Sequence, residues 1–368
     1  MKALAVFPAS REVKIVDHPE PDCAGPTEVK LRILEAGICG TDREIADFRY
    51  GAPPADSPYQ IIGHEALGEV IEVGSSVTSL VPGDLAVLMV RRPCPHAHCP
   101  PCRAGRPDFC ITGDFTERGI KGAHGYMTER VVDEERYLVK VPRALREVAV
   151  LLEPLTVAEK AAEQGRILAQ RLPGNLAYDP SNRRAVVLGA GPIGLLGAMK
   201  LVNGGYDTWV YYRGRPDSPN VKILTAVGAR FVSSVEHSPS ELAAMVGNIS
   251  LVYEATGVAK ISFEVMSVLG VNGIFIFTGV PGVKAPIEIN AELIMRNLVL
   301  NNQVICGTVN AGRASFEEGV HDLMSFMQHF PDSVHDLITA RLPLEDAREA
   351  VIAKGGIKSV VTIAGGGQ

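Results

Sequence analysis

What this sequence of 368 residues lacks first is a surplus of positive charge: 36 Lys+Arg face 42 Asp+Glu, for a net charge of −6. A negative chain with no lysine/arginine run offers no electrostatic footprint for nucleic acid, and there is no acidic tail either. Long apolar runs are missing too. No stretch approaches the roughly eighteen continuous apolar residues of a membrane-spanning helix, which excludes a transmembrane segment. The opening Met1-Lys2-Ala3-Leu4-Ala5-Val6 enters a strand-like run with no signal-peptide cleavage region, so the expected address is cytoplasmic. There is no internal repeat, and no low-complexity tract beyond the short Gly-rich end. An even disulfide framework is absent as well, because the seven cysteines are odd in number and unevenly placed. Cys94, Cys99, Cys102 and Cys110 cluster within 17 residues while Cys23, Cys39 and Cys306 stand apart. In a cytoplasmic chain that cluster argues for metal before disulfides. What remains, at 46% hydrophobic and 21% charged, is an ordinary soluble composition on a chain too long for one core. Two domains are expected.

The chain is organised around Gly63-His64-Glu65-Ala66-Leu67-Gly68-Glu69-Val70-Ile71-Glu72-Val73-Gly74. It places an imidazole and a carboxylate together at the mouth of a strand, with glycines that permit close backbone approach. Upstream, Gly37-Ile38-Cys39-Gly40-Thr41-Asp42 supplies a thiol after the strand-like run Val29 to Leu34. Cys39, His64 and a carboxylate (Glu65) with one open position make the ligand set of a catalytic zinc. Glu153, set in an apolar run before Pro154, must be paired, protonated or metal-bound if buried, and is a further metal-associated candidate.

Short strands punctuated by Gly and Pro over residues 1 to about 90 predict a β-barrel-like domain. The cysteine lobe at 91–110 follows, and Cys99-x2-Cys102-x7-Cys110 spells a closed structural zinc site. Cys94 is favoured as the remaining ligand, with His96 the alternative. From Glu147 the pattern turns helical, and a looser connector runs from Arg171 to Arg184. Ala185-Val186-Val187-Leu188 then leads into Gly189-Ala190-Gly191-Pro192-Ile193-Gly194 and an apolar helix, the strand–turn–helix setting of a dinucleotide fingerprint. The next strand ends in Tyr212-Arg213-Gly214-Arg215, without the acid that would hold a ribose 2′-hydroxyl. Tyr212, Arg213 and Arg215 therefore suit the 2′-phosphate of NADP, with NAD as second cofactor. Thr278, Gly279 and Thr308 are further candidates for the cofactor site.

This order of parts resembles the zinc-containing medium-chain alcohol dehydrogenase family over essentially the whole chain. Gly37 to Glu44, Gly105-Arg106-Pro107-Asp108-Phe109-Cys110 and Gly307-Thr308-Val309-Asn310 look more narrowly like archaeal-type glucose 1-dehydrogenases. The resemblance implies an α/β subunit: a GroES-like β-barrel catalytic domain plus a Rossmann domain with a doubly wound parallel sheet. Expected boundaries are 1–180 (catalytic), 181–308 (nucleotide-binding) and 309–368 (return to the catalytic domain), with the active site in the cleft between them. It implies a catalytic zinc on Cys39, His64 and Glu65, with Glu153 beside it. Thr41, Glu117, Glu153 and Asn310 would contact a sugar, and the subunit would assemble as a homotetramer or homodimer. The implied reaction is zinc-assisted oxidation of an aldose (D-glucose, or D-galactose or D-xylose) at C1 to the lactone, with NADP or NAD taking the hydride. Thr41 would carry the proton outward, and Glu153 or a water would act as base. The chain departs from the family in Cys94-x4-Cys99, where x2 is commoner. Val90 and Leu300 also stand where some relatives carry polar sugar-binding residues. A polyol, threonine or alcohol dehydrogenase, or a non-catalytic zinc- and nucleotide-binding relative, are the alternatives. A substrate panel and metal analysis separate them.

Overall fold

The computed structural model of the chain describes residues 1–174, 183–282, 285–353 and 355–363. It divides into two compact units: Met1–Thr156 with Asn310–Met324 and the chain from Val334, and Val157–Val309 with Ser325–Ser333. The expected boundary at 180/181 and the turn Asp179-Pro180-Ser181-Asn182 lie outside the described residues. The units part instead within the helix Leu152–Ala169, and Ser325–Ser333 belongs to the second of them.

The first unit is built on a seven-stranded sheet. Its order is Leu138–Val141, Leu85–Leu88, Glu65–Val73, Glu28–Gly37, Lys358–Thr362, Ile338–Pro343, with Arg130–Glu134 also paired to Glu28–Gly37. The strand after Gly63-His64 begins at Glu65 itself. Its first residues pair antiparallel with the end of Glu28–Gly37, Gly37 facing Glu65 and Ala36 facing Ala66. That pairing brings the thiol segment and the Gly-His-Glu segment together at one end of these two central strands. Leu31, Ile33, Val70, Leu88 and Tyr126 pack in one core cluster, and Leu4, Ile38, Ile62, Met127 and Val361 in another. Each such fully buried side chain contributes about 1.5–3 kcal/mol relative to exposure. A smaller sheet pairs Arg91–Arg92 with Thr116–Arg118, and Thr116–Arg118 with Gly122–Ala123, so that Arg91 lies opposite Glu117.

The second unit carries a six-stranded sheet with every pair parallel. Its order is Arg230–Ser233, Asp207–Tyr212, Arg184–Leu188, Leu251–Glu254, Ile274–Phe277, Val304–Gly307, the doubly wound arrangement of a Rossmann domain. Short Val-, Leu- and Phe-rich strands suit it because such strands are covered on both faces; Val186, Leu188, Val252 and Phe275 are fully buried. Three of its described helices start on side-chain caps: Ser218, Ser238 and Asn290. Ser238 accepts from Glu241 N while Glu241 Oε2 accepts from Ser238 N at 2.7 Å, a capping box worth about 1 kcal/mol.

Candidate active site

Cys39 follows the strand Glu28–Gly37 and caps the helix Gly40–Ala46. The cap is made by Asp42, whose Oδ2 accepts the Cys39 backbone N–H at 2.8 Å. Asp42 Oδ1 accepts from Gly63 N at 3.0 Å and lies 3.4 Å from His64 Nδ1. One fully buried carboxylate thus fixes the thiol segment and the glycine before the histidine, and lies beside the imidazole. Such a carboxylate behind a histidine holds the Nδ1 proton and leaves Nε2 to bind metal. Burial works against both charges, yet Asp42 and Cys39 together hold His64 well above its ordinary value, while His64 and the backbone N–H groups keep Asp42 below its own.

Ligand atoms of Cys39, His64 and Glu65 all lie within 4.8 Å of one another. The donor set fits a zinc ion with room for a further ligand. Glu65 Oε2 is also ion-paired with the buried Lys358 Nζ, which donates to Ile38 O at 3.2 Å. Gly37 is required here, because a Cβ at that position would overlap Glu65 Oε2. Thr41 Oγ1 lies 3.9 Å from Cys39 Sγ. Glu153, at the start of Leu152–Ala169, is pushed by burial up to about 7, with His64 opposing and Glu65 adding to the shift. Sequence reasoning missed the roles of Asp42 and Lys358. Asp42 carries a local sign, an acid three residues after the thiol at a helix start; Lys358 carries none, since strand pairing alone brings it in.

The lobe gathers Cys94, Cys99, Cys102 and Cys110 with all four Sγ atoms within 4.8 Å. Cys99 Sγ and Cys110 Sγ are 3.9 Å apart and none of the seven cysteines is in a disulfide. Four thiolates at about 2.3 Å from a tetrahedral zinc would sit roughly 3.8 Å apart, so the lobe fits a closed zinc site. His96 points elsewhere, its Nε2 2.8 Å from Asp114 Oδ2.

Glu117 and Asn310 meet: Asn310 Nδ2 donates to Glu117 Oε1 at 2.9 Å. Asn310 sits at φ 58°, in the left-handed region that Asn tolerates, and its Oδ1 accepts from Ala311 N at 2.8 Å. The buried Glu117 also accepts from Arg91 Nε at 3.1 Å and Nη2 at 2.9 Å. Val90 is buried, whereas Leu300 is 63% exposed on its helix.

In the second unit the fingerprint glycines divide three tasks. Gly189 turns at φ 97°; Gly191 caps Pro192–Asn203 with open space where a Cβ would stand; Gly194 packs so close to Gly189 O that no side chain fits. Pro192 and Ile193 open the helix, whose N-terminal N–H groups suit a pyrophosphate. Buried Glu254 ties the neighbouring loops, accepting from Thr256 N at 2.7 Å, Gly257 N at 2.8 Å and Gly279 N at 3.1 Å. Thr278 Oγ1 is spent on Glu254 O at 2.6 Å, while Thr308 Oγ1 is buried with no hydrogen-bond partner among the described residues. Tyr212 ends its strand, Arg213 is exposed, and Arg215 pairs with Asp217 at 3.0 Å.

A strand-edge metal cluster, a four-thiol lobe and a Rossmann sheet define a zinc-type dehydrogenase of two units. Family models agree: residues 25–143 match the alcohol dehydrogenase GroES-like domain and residues 146–363 match the glucose dehydrogenase C-terminus. The chain is 38% identical over 367 residues to the glucose 1-dehydrogenase of Methanocella arvoryzae, covering 99% of each. It is 35% identical to that of Thermoproteus tenax, covering 96% of each. Among solved structures, the Haloferax mediterranei glucose dehydrogenase in complex with NADP, Zn and gluconolactone superposes with a TM-score of 0.89 at 30% identity, over 99% of this chain and 100% of that one. The chain belongs to the zinc-containing medium-chain alcohol dehydrogenase family, in its glucose 1-dehydrogenase branch.

Proposed function

We propose that the chain is a zinc-dependent aldose 1-dehydrogenase that oxidises D-glucose, and D-galactose or D-xylose as alternative sugars, at C1 to the aldonolactone. NADP is the preferred acceptor and NAD the second. The observation that carries this reading is the convergence of Cys39, His64 and Glu65 within 4.8 Å, backed by buried Asp42 and Lys358. The Haloferax complex with gluconolactone supports the sugar. Bound in these sites, zinc supplies Lewis acidity at the substrate oxygen and the dinucleotide supplies the hydride acceptor.

The chain's own residues do the rest. Asp42 keeps the imidazole in the tautomer that leaves Nε2 for metal. Glu153, held by burial near 7, is poised to take a proton at neutral pH, and the Thr41 hydroxyl beside Cys39 passes one outward. Glu117 and the second N–H of the Asn310 amide meet sugar hydroxyls. Arg213, exposed and without an ion pair among the described residues, takes the 2′-phosphate, whereas Arg215 must first give up Asp217. The enzyme works in the cytoplasm, a reading supported by seven free cysteines; no helix among the described residues is long and apolar enough to cross a membrane. It assembles as a homodimer or homotetramer, supported by the helix Ala291–Leu300. That helix buries none of its residues and exposes Met295, Val299 and Leu300. The test is a panel of aldoses and polyols with NAD and NADP, alongside zinc analysis. Aldose turnover favouring NADP is expected; turnover restricted to polyols or simple alcohols would refute the reading.

A further inference from the structure

We propose that Arg91 is a positioning residue that decides which oxygen of Glu117 is offered to the substrate, and so sets selectivity for a sugar hydroxyl. This rests on the reading of Glu117 as a substrate contact. Arg91 and Glu117 are direct partners across the antiparallel pair Arg91–Arg92 and Thr116–Arg118, and both are buried. Arg91 Nε and Nη2 donate to one atom, Glu117 Oε1, at 3.1 and 2.9 Å, and Asn310 Nδ2 adds a third bond to it at 2.9 Å. Three donors saturate Oε1. Oε2 accepts nothing among the described residues, so a ligand hydroxyl is read there alone.

The guanidinium is itself clamped. Its carbon lies 3.7 Å from the Phe115 ring centroid, and Nη1 reaches Asp108 O at 3.5 Å. Asp108 is in turn held by Arg106 Nε at 3.0 Å and Nη2 at 2.9 Å, two residues before the lobe thiol Cys110. A planar fork stacked on a ring and anchored to the lobe cannot swing, so the carboxylate cannot rotate. Without Arg91 only the Asn310 amide still holds Oε1, so the carboxylate is free to turn about that one bond, and it loses its counter-charge.

The experiment compares wild type, Arg91→Lys, Arg91→Met and Glu117→Gln for turnover of D-glucose against 2-deoxy- and 3-deoxy-D-glucose, with zinc content and KM for NADP measured in parallel. A hydrogen bond to a charged acceptor corresponds to roughly ten- to a hundredfold discrimination against the analogue lacking that hydroxyl. Arg91→Met is expected to collapse this ratio to the Glu117→Gln level while KM for NADP and both zinc ions are kept. Arg91→Lys keeps the buried charge and the fold but cannot donate two bonds to Oε1, so it loses most of the ratio as well. A wild-type ratio in Arg91→Lys, or in a folded Arg91→Met, overturns the positioning role while leaving Glu117 a substrate contact. An unchanged ratio in Glu117→Gln overturns the contact itself, and the proposal with it.

Discussion

The two clusters of candidate metal ligands in the first unit differ in how they are held, and the difference bears on what each could do. The lobe's four thiols lie within 17 residues, on or beside the short helix Pro100–Arg103 and the turn Pro107–Phe109. The other cluster draws on Cys39 at a helix cap, His64 in the loop before a strand and Glu65 at that strand's start, with Asp42 behind Cys39 and His64 and Lys358 behind Glu65. A closed set of identical ligands needs only local geometry. An open, mixed set needs buried charges to hold its ligands in one tautomer and orientation while a position stays free for substrate.

The largest effects come from breaking one region at a time. His64→Ala should abolish aldose oxidation with the lobe zinc and dinucleotide affinity retained, whereas Cys102→Ser should lose the lobe zinc and lower the thermal midpoint. Metal analysis with calorimetry distinguishes them, and loss of both ions in either variant would erase the distinction. Lys358→Met removes the counter-charge of a buried carboxylate and should cost about 3–5 kcal/mol in urea unfolding. Adding Glu65→Gln should recover most of it; a double variant no better than the single would show that the pair is not what Lys358 stabilises. Asp42→Asn should weaken the open site's metal affinity roughly 10- to 100-fold and leave the lobe untouched.

The smallest effect concerns a histidine that belongs to neither ligand cluster. His124 stacks on Tyr59 with centroids 5.4 Å apart, faces His18 at 5.1 Å and accepts from Ile61 N at 3.1 Å. Burial first, then His18 and Arg118 against Asp56, push it down to about 4 from 6.5. Between those values the unfolded chain binds more protons than the native one, so stability falls as pH drops through that window. His124→Gln should flatten this part of the acid limb by about 1–2 kcal/mol after solvent screening, read from denaturant midpoints at pH 4.5 and 7. An unchanged limb would assign the acid sensitivity to other groups.

How much was legible in the sequence follows the same divide. The lobe could be read because its ligands are close in sequence, and the glycine fingerprint because each glycine has a local steric task. The pairing of Glu65 with Gly37 was hidden because the two residues lie far apart in sequence and only the antiparallel register joins them. Lys358, Arg91 and Glu254 were invisible as site residues, since strand pairing or loop closure brings each to its partner. The helix Leu152–Ala169 runs from one compact unit into the other, a crossing that its continuous local signal does not mark.

The central claim is that the open site carries the chemistry and the closed lobe does not. Brief chelation of the full chain, followed by zinc content, turnover and thermal midpoint in the same samples, tests it most directly. The account predicts that the first zinc lost per subunit takes all aldose oxidation with it and barely moves the midpoint, and that added zinc restores turnover. Full activity after loss of that first zinc, or activity that falls only as the lobe zinc leaves and the midpoint drops, would contradict it.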